Sequence, residues 1–181
     1  FKKATNEDWI NSIDIPMKAS QSICKNIVIA GISFGGNIAL SAAQNYDLSG
    51  IITISTPIYF HDKRIMYAKY FKHIIKNTER NLTQQEIPHY YINIPSEQVA
   101  QMASTIKKVK KELTEITTPT LVIQTKEDKR VIPKSANYII DNIASTNKNL
   151  IMYDTGEHVL TRDPMNQTLA EDVYGFIQSL S

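Results

Sequence analysis

The segment Val28-Ile29-Ala30-Gly31-Ile32-Ser33-Phe34-Gly35-Gly36 constrains this chain more than any other. A β-branched apolar run, Ile27–Ala30, leads directly into G-x-S-x-G, and residues with helical spacing (Ile38, Ala39, Ala42, Ala43) follow as far as Asn45. Strand, sharp turn and helix form the setting in which this pattern makes a nucleophile elbow. The turn lifts the serine hydroxyl clear of the sheet and sets the next amide, that of Phe34, at a helix start facing an anion. So tight a turn predicts that a β-carbon at Gly31 or Gly35 would collide with its neighbours. Taken alone, the motif also fits a glycine-rich phosphate-binding turn with an incidental serine.

Three more short apolar runs, Ile51–Ile54, Leu121–Ile123 and Leu150–Tyr153, read as strands buried on both faces of a mostly parallel sheet. Helical spacing recurs over Lys134–Ile143, behind Pro133, and from about Met165 to Ser179. The fold class is therefore α/β. Before the first strand, Asn6 to Ser22 predicts a helix anchored by Trp9 and Ile13, capped by Thr5 or Asn6, and kinked or stopped at Pro16. Residues 57–118 differ from the rest: they hold no glycine and are rich in lysine, tyrosine, asparagine and glutamine. Their periodicity predicts an inserted helical cap, interrupted near Ile87-Pro88 and Ile94-Pro95, within a core made of residues 1–56 and 119–181.

Composition excludes several function classes. With 20 basic and 18 acidic side chains the net charge is only +2, which gives no reason to expect a nucleic acid or an anionic membrane as partner. The cluster Lys107, Lys108, Lys110 and Lys111 reads as the solvated face of a helix. A hydrophobic content of 42% excludes intrinsic disorder. A lone cysteine, Cys24, excludes an intrachain disulfide and argues against a cysteine-based metal site. No apolar run exceeds four residues and no signal peptide is recognisable, so a cytoplasmic protein without integral membrane association is the default expectation.

An elbow serine needs a base, and the base needs an orienting acid. Of four histidines, His61, His73 and His89 fall in the insertion, whereas His158 follows the last strand, where α/β sites gather. The acid belongs after the preceding strand. Asp128, followed by Val131-Ile132-Pro133 and a helix, is preferred, with Glu127 as the fallback and Asp154 and Asp163 behind it.

With these residues in place the chain resembles the α/β-hydrolase superfamily, in particular compact bacterial carboxylesterases similar to monoacylglycerol lipases. The resemblance runs in order over nearly the whole chain. It comprises Val28 to Gly36, then Pro119-Thr120-Leu121-Val122-Ile123-Gln124 with Asp128 and Ile132-Pro133, then Gly156-Glu157-His158-Val159. The spacing of 95 residues from Ser33 to Asp128 and 30 from there to His158 fits that group with a cap between.

The resemblance implies an α/β-hydrolase fold and two-step acyl transfer on a small-molecule ester. Ser33 would be the nucleophile, His158 the general base, Asp128 the orienting acid and the Phe34 amide an oxyanion donor. Neither cofactor nor metal is implied. Tyr59, Tyr67, Tyr70, Phe71 and Met102 of the cap are the candidates for an acyl pocket, against a purely structural role in packing the cap helices. Two departures are expected to matter. Only 26 residues precede the elbow strand, fewer than the family's amino-terminal strands require, so the sheet should be truncated there. The family's His-Gly motif, which supplies a second oxyanion amide, has no counterpart, because no histidine here is followed by glycine. A remnant without turnover that acts as a binding module, and a thioesterase or acyltransferase using the same three residues, are the alternative readings.

Overall fold

The computed structural model describes residues 4–71, 77–79, 93–164 and 166–180, with side chains left out for 68–71, 77–79 and 93. Its elements in chain order are α1 (Asn6–Asn11), α2 (Asp14–Ile23), β1 (Val28–Ile32), α3 (Phe34–Ala42), β2 (Gly50–Ile54), α4 (Arg64–Phe71), β3 (Asn77–Glu79), β4 (Asn93–Pro95), α5 (Ser96–Glu112), β5 (Thr120–Thr125), α6 (Lys134–Asn142), β6 (Lys148–Tyr153) and α7 (Asn166–Gln178).

The four apolar runs become β1, β2, β5 and β6, which pair in parallel in the order β1-β2-β5-β6. Alternation along the central strands divides their side chains between two cores. Ile51 and Val122 point to the face covered by α3, α5 and α6, through Leu40, Ile106, Val109 and Ile139. Ile52, Ile54, Leu121 and Ile123 point to the opposite face, covered by α7 through Leu169 and Phe176. Full burial of each such side chain is worth roughly 1.5–3 kcal/mol, which fixes strand register, because a one-residue slip would exchange the two sets. At the edge strand β1, Ala30 and Ile32 are exposed.

The amino-terminal helix departs from expectation. Thr5 caps it in a capping box with Asp8, but the break falls at Ser12-Ile13, and α2 starts before the proline. Pro16 lies in the first turn of α2, where its lack of an N–H costs no hydrogen bond. The buried anchors are Ile10 and Met17, while Ile13 is only partly covered and Trp9 packs edge-on against Phe34 at 5.2 Å.

The insertion between β2 and β5 also differs from an all-helical reading. Asn77–Glu79 and Asn93–Pro95 pair as a short antiparallel ribbon, so the break at Ile94-Pro95 is a strand running into α5. Ile87-Pro88, His73 and His89 lie outside the described residues. Among the described residues, no helix is long and apolar enough to cross a membrane.

Candidate active site

The elbow forms because β1 must turn into α3 within one residue. That residue, Ser33, adopts φ 52° and ψ −126°, a conformation rare for a residue with a β-carbon. The surroundings enforce it: the Ser33 amide donates to the Ile54 carbonyl at 2.7 Å, and the Gly36 amide donates to the Ser33 carbonyl at 2.9 Å. A β-carbon at Gly31 would stand 2.3 Å from the Gly35 carbonyl oxygen, so only glycine fits. The same argument fails at Gly35, where a β-carbon would meet nothing within 4 Å. The second obligatory glycine is Gly36, whose β-carbon would come within 1.8 Å of Thr56 Oγ1. Close approach of α3 to the end of β2, rather than the tightness of the turn, sets that requirement.

The loops after β5 and β6 are tied together. The Lys126 amide donates to the Tyr153 carbonyl at 2.9 Å, and Thr125 Oγ1 donates to the Gly156 carbonyl at 3.1 Å. Gly156 takes φ 128°, and Asp163 Oδ2 accepts from the Glu157 amide at 2.8 Å, which fixes the turn that carries His158. Behind it, Tyr153 donates its hydroxyl to Asp172 of α7. Burial first, and that hydrogen bond second, push the Tyr153 phenol far up, so it stays a donor.

Ser33, His158 and Asp128 meet at the carboxyl ends of β1, β6 and β5. His158 Nε2 is 2.9 Å from Ser33 Oγ, and His158 Nδ1 is 2.8 Å from Asp128 Oδ2. The Asp128 side chain is fully buried and that of His158 is 11% exposed. Its carboxylate is saturated: Oδ1 accepts from the Arg130 and Val131 amides at 2.8 and 2.9 Å, and Oδ2 accepts from Gln124 Nε2 at 3.0 Å as well as from His158. Burial is the largest single influence on Asp128 and raises its pKa, but the His158 and backbone hydrogen bonds together outweigh it. The carboxyl therefore sits below its ordinary value and remains ionised. An ionised carboxylate only accepts, so Nδ1 carries the proton in the neutral imidazole. Nε2 is then left to accept from the serine hydroxyl. The Phe34 amide belongs to the first turn of α3, where N–H groups have no intrahelical acceptor.

The rival carboxylates are engaged elsewhere. Glu127 accepts from the Gly156 amide at 3.4 Å, Asp154 pairs with Lys126, and Asp163 holds the Glu157 amide. Two residues near the acid were not singled out from the sequence. Gln124 was legible as the one long polar side chain in a wholly buried strand. His61, whose Nε2 lies 3.1 Å from the Asp128 carbonyl, gave no such signal.

Of the pocket candidates, Tyr59 stacks edge-on with Tyr138 at 5.6 Å, and Lys110 Nζ stands over both rings. Met102 is partly buried against the core, and Tyr67 is 57% exposed in a trough of about 700 Å³ with Met66, Ala103 and Lys107. Tyr70 and Phe71 end α4, and their side chains lie outside those described. In the lysine cluster, Lys108 pairs with Glu112 at 3.6 Å.

The profile of the family described as serine aminopeptidase, S33, matches residues 67–165, a stretch that holds both Asp128 and His158. The chain belongs to that family. Over 176 residues it is 24% identical to a carboxylesterase of Bacillus subtilis (strain 168), covering 95% of this chain and 72% of the relative. Over 173 residues it is 26% identical to a thermostable monoacylglycerol lipase of Bacillus sp. (strain H-257), covering 90% and 67%. Among solved structures, one from work on the metagenome-derived lipolytic enzymes LipS and LipT superposes with a TM-score of 0.86 at 21% identity, over 97% of this chain and 74% of that one. The fold of this S33 member is the α/β-hydrolase fold.

Proposed function

We propose that this chain is a serine hydrolase of carboxylic esters with short to medium acyl groups. The observation that carries this reading is the unbroken relay from Ser33 Oγ through His158 to Asp128, with contacts of 2.9 and 2.8 Å. In this reading Ser33 Oγ attacks the ester carbonyl while His158 Nε2 takes its proton. The Phe34 amide donates to the developing oxyanion. The tetrahedral intermediate collapses, the C–O bond to the alcohol breaks, and His158 returns the proton to the leaving oxygen. Water then repeats the sequence on the acyl-enzyme, releasing the acid and restoring Ser33. Asp128 keeps the imidazole in the productive tautomer and stabilises the imidazolium that forms in each half-reaction.

Residues 57–118 serve as the cap in this reading, with Tyr59, Tyr67 and Met102 as the candidates for its acyl-facing side whose side chains are described. The resemblance of the relatives named as a carboxylesterase and a monoacylglycerol lipase supports an ester as substrate. The free cysteine, Cys24, suits a reducing cytoplasm.

The test is hydrolysis of p-nitrophenyl esters of increasing acyl length beside an aminoacyl p-nitroanilide. Esters should be cleaved, a fluorophosphonate probe should label Ser33, and Ser33→Ala should abolish both. Equal rates for the parent and Ser33→Ala would overturn the reading, and faster cleavage of the anilide would move it to peptides.

A further inference from the structure

We infer that Gln124 is a positioning residue for the acid: its side-chain amide, fixed in the floor of the sheet, sets the orientation of the Asp128 carboxylate and its hold on His158. This rests on the reading of Ser33, His158 and Asp128 as a catalytic relay. Gln124 is the fifth residue of β5 and is completely buried. Its Nε2 donates 3.0 Å to Asp128 Oδ2, the same oxygen that accepts from His158 Nδ1, and 3.3 Å to the Thr125 carbonyl. Its Oε1 is buried without a partner among the described residues.

Burying a glutamine in a strand buried along its whole length, with one end unsatisfied, is costly. A methionine or leucine would fill the space without that cost, so packing alone does not account for the residue. What an apolar side chain lacks is a donor for Oδ2. The two amide donors of the Asp128 loop already hold Oδ1, so without Gln124 the oxygen facing the imidazole would have His158 as its sole described partner. The tilt of the carboxylate toward the imidazole would then be set from the Oδ1 side alone. Other charged groups at this end of β5 and β6 have their own contacts: Lys126 with Asp154, Glu127 with the Gly156 amide, and Asp163 with the Glu157 amide. Arg130 contributes its amide to Oδ1.

Two variants test this by ester kinetics across pH. Gln124→Met keeps the volume and removes the donor. It should lower kcat about ten-fold or more, the size of one hydrogen bond to a charged group, with KM unchanged because Gln124 does not reach the surface. Gln124→Glu replaces the amide with a carboxyl that can donate only while protonated, beside a second carboxylate that resists joint ionisation. Its activity should approach that of the parent on the acid side and fall as the shared proton leaves, adding a descending limb that the parent lacks. Because an ionised glutamate would act on Asp128 and His158 by charge alone, the deciding readout is a lowered kcat of Gln124→Met at parental KM and parental thermal stability, which a purely structural role would not produce. If the parent requires Ser33 but both variants keep its kcat and pH profile, Gln124 only fills the strand and the inference is wrong. If the parent and Ser33→Ala act alike, the relay itself fails.

Discussion

His61 Nε2 donates to the backbone carbonyl of Asp128 at 3.1 Å, so the foot of the insertion is bonded to the residue that holds His158. The contact belongs to a longer seam. The His61 amide donates to the Arg130 carbonyl, the Ile132 amide donates to the Tyr59 carbonyl, and Phe60 bridges Val131 in antiparallel fashion. His61→Ala should cost about 1 kcal/mol, the worth of one ordinary hydrogen bond, or roughly 2–4 °C in Tm for a chain of this size. Ester turnover should fall several-fold with it. His61→Gln, which can still donate to the carbonyl, should restore most of both, as thermal melts and initial rates would show.

The three elbow glycines should respond differently to the same substitution. Gly31→Ala forces a β-carbon into backbone atoms and should destabilise by about 3 kcal/mol or more. Gly36→Ala should be nearly as damaging, yet partly rescued by Thr56→Ala, because the Thr56 hydroxyl is its nearest obstacle. Gly35→Ala should be neutral or stabilising by up to about 1 kcal/mol, since it meets no neighbour and improves helix propensity. Denaturant melts of the single variants and the Gly36–Thr56 double mutant would check the order.

Strain at Ser33 gives a further contrast, between two variants that lack its hydroxyl. The backbone at φ 52° costs a residue with a β-carbon roughly 1–3 kcal/mol, while glycine adopts it freely but loses about 0.4–1 kcal/mol through its looser unfolded chain. Ser33→Gly should therefore unfold about 1 kcal/mol later than Ser33→Ala. An alanine variant as stable as the glycine one would mean that the elbow relaxes.

Acidification should expose the contribution of Asp128. Its folded-state pKa is depressed, so the stabilisation is complete above the unfolded aspartate value of about 3.9 and is lost as pH falls through the lower folded-state value. The stability of the parent should thus fall more steeply with acid than that of Asp128→Asn, and the two curves should converge. Parallel curves in urea melts from neutral pH downward would contradict this.

The sheet was legible because β2 and β5 hold short runs rich in isoleucine, valine and leucine, Ile51–Ile54 and Leu121–Ile123, the pattern of strands covered on both faces. That Ser33, Asp128 and His158 lie together was legible because each follows a strand, and parallel strands bring their carboxyl ends to one edge. The β3–β4 ribbon left no trace, since Asn77-Thr78-Glu79 has neither apolar alternation nor a turn signal. The steric requirement expected at Gly35 lies instead at Gly36 for a related reason. Which of them must lack a side chain depends on Thr56, a residue that folding alone brings against α3. Pro16 misled because a proline in a first helical turn and one that breaks a helix look identical in sequence.

The Ser33–His158 contact closes a loop of 125 residues. Loop closure of that length is paid late in folding. During synthesis, β1, α3 and β2 have left the ribosome long before β6 supplies a base. On the relay proposed above, Ser33 passes most of its assembly without a base, and its reactivity arrives only when β6 docks. In that reading, covalent labelling of Ser33 would report the docking of β6 beside β5, and a chain halted before β6 would carry the serine without its base.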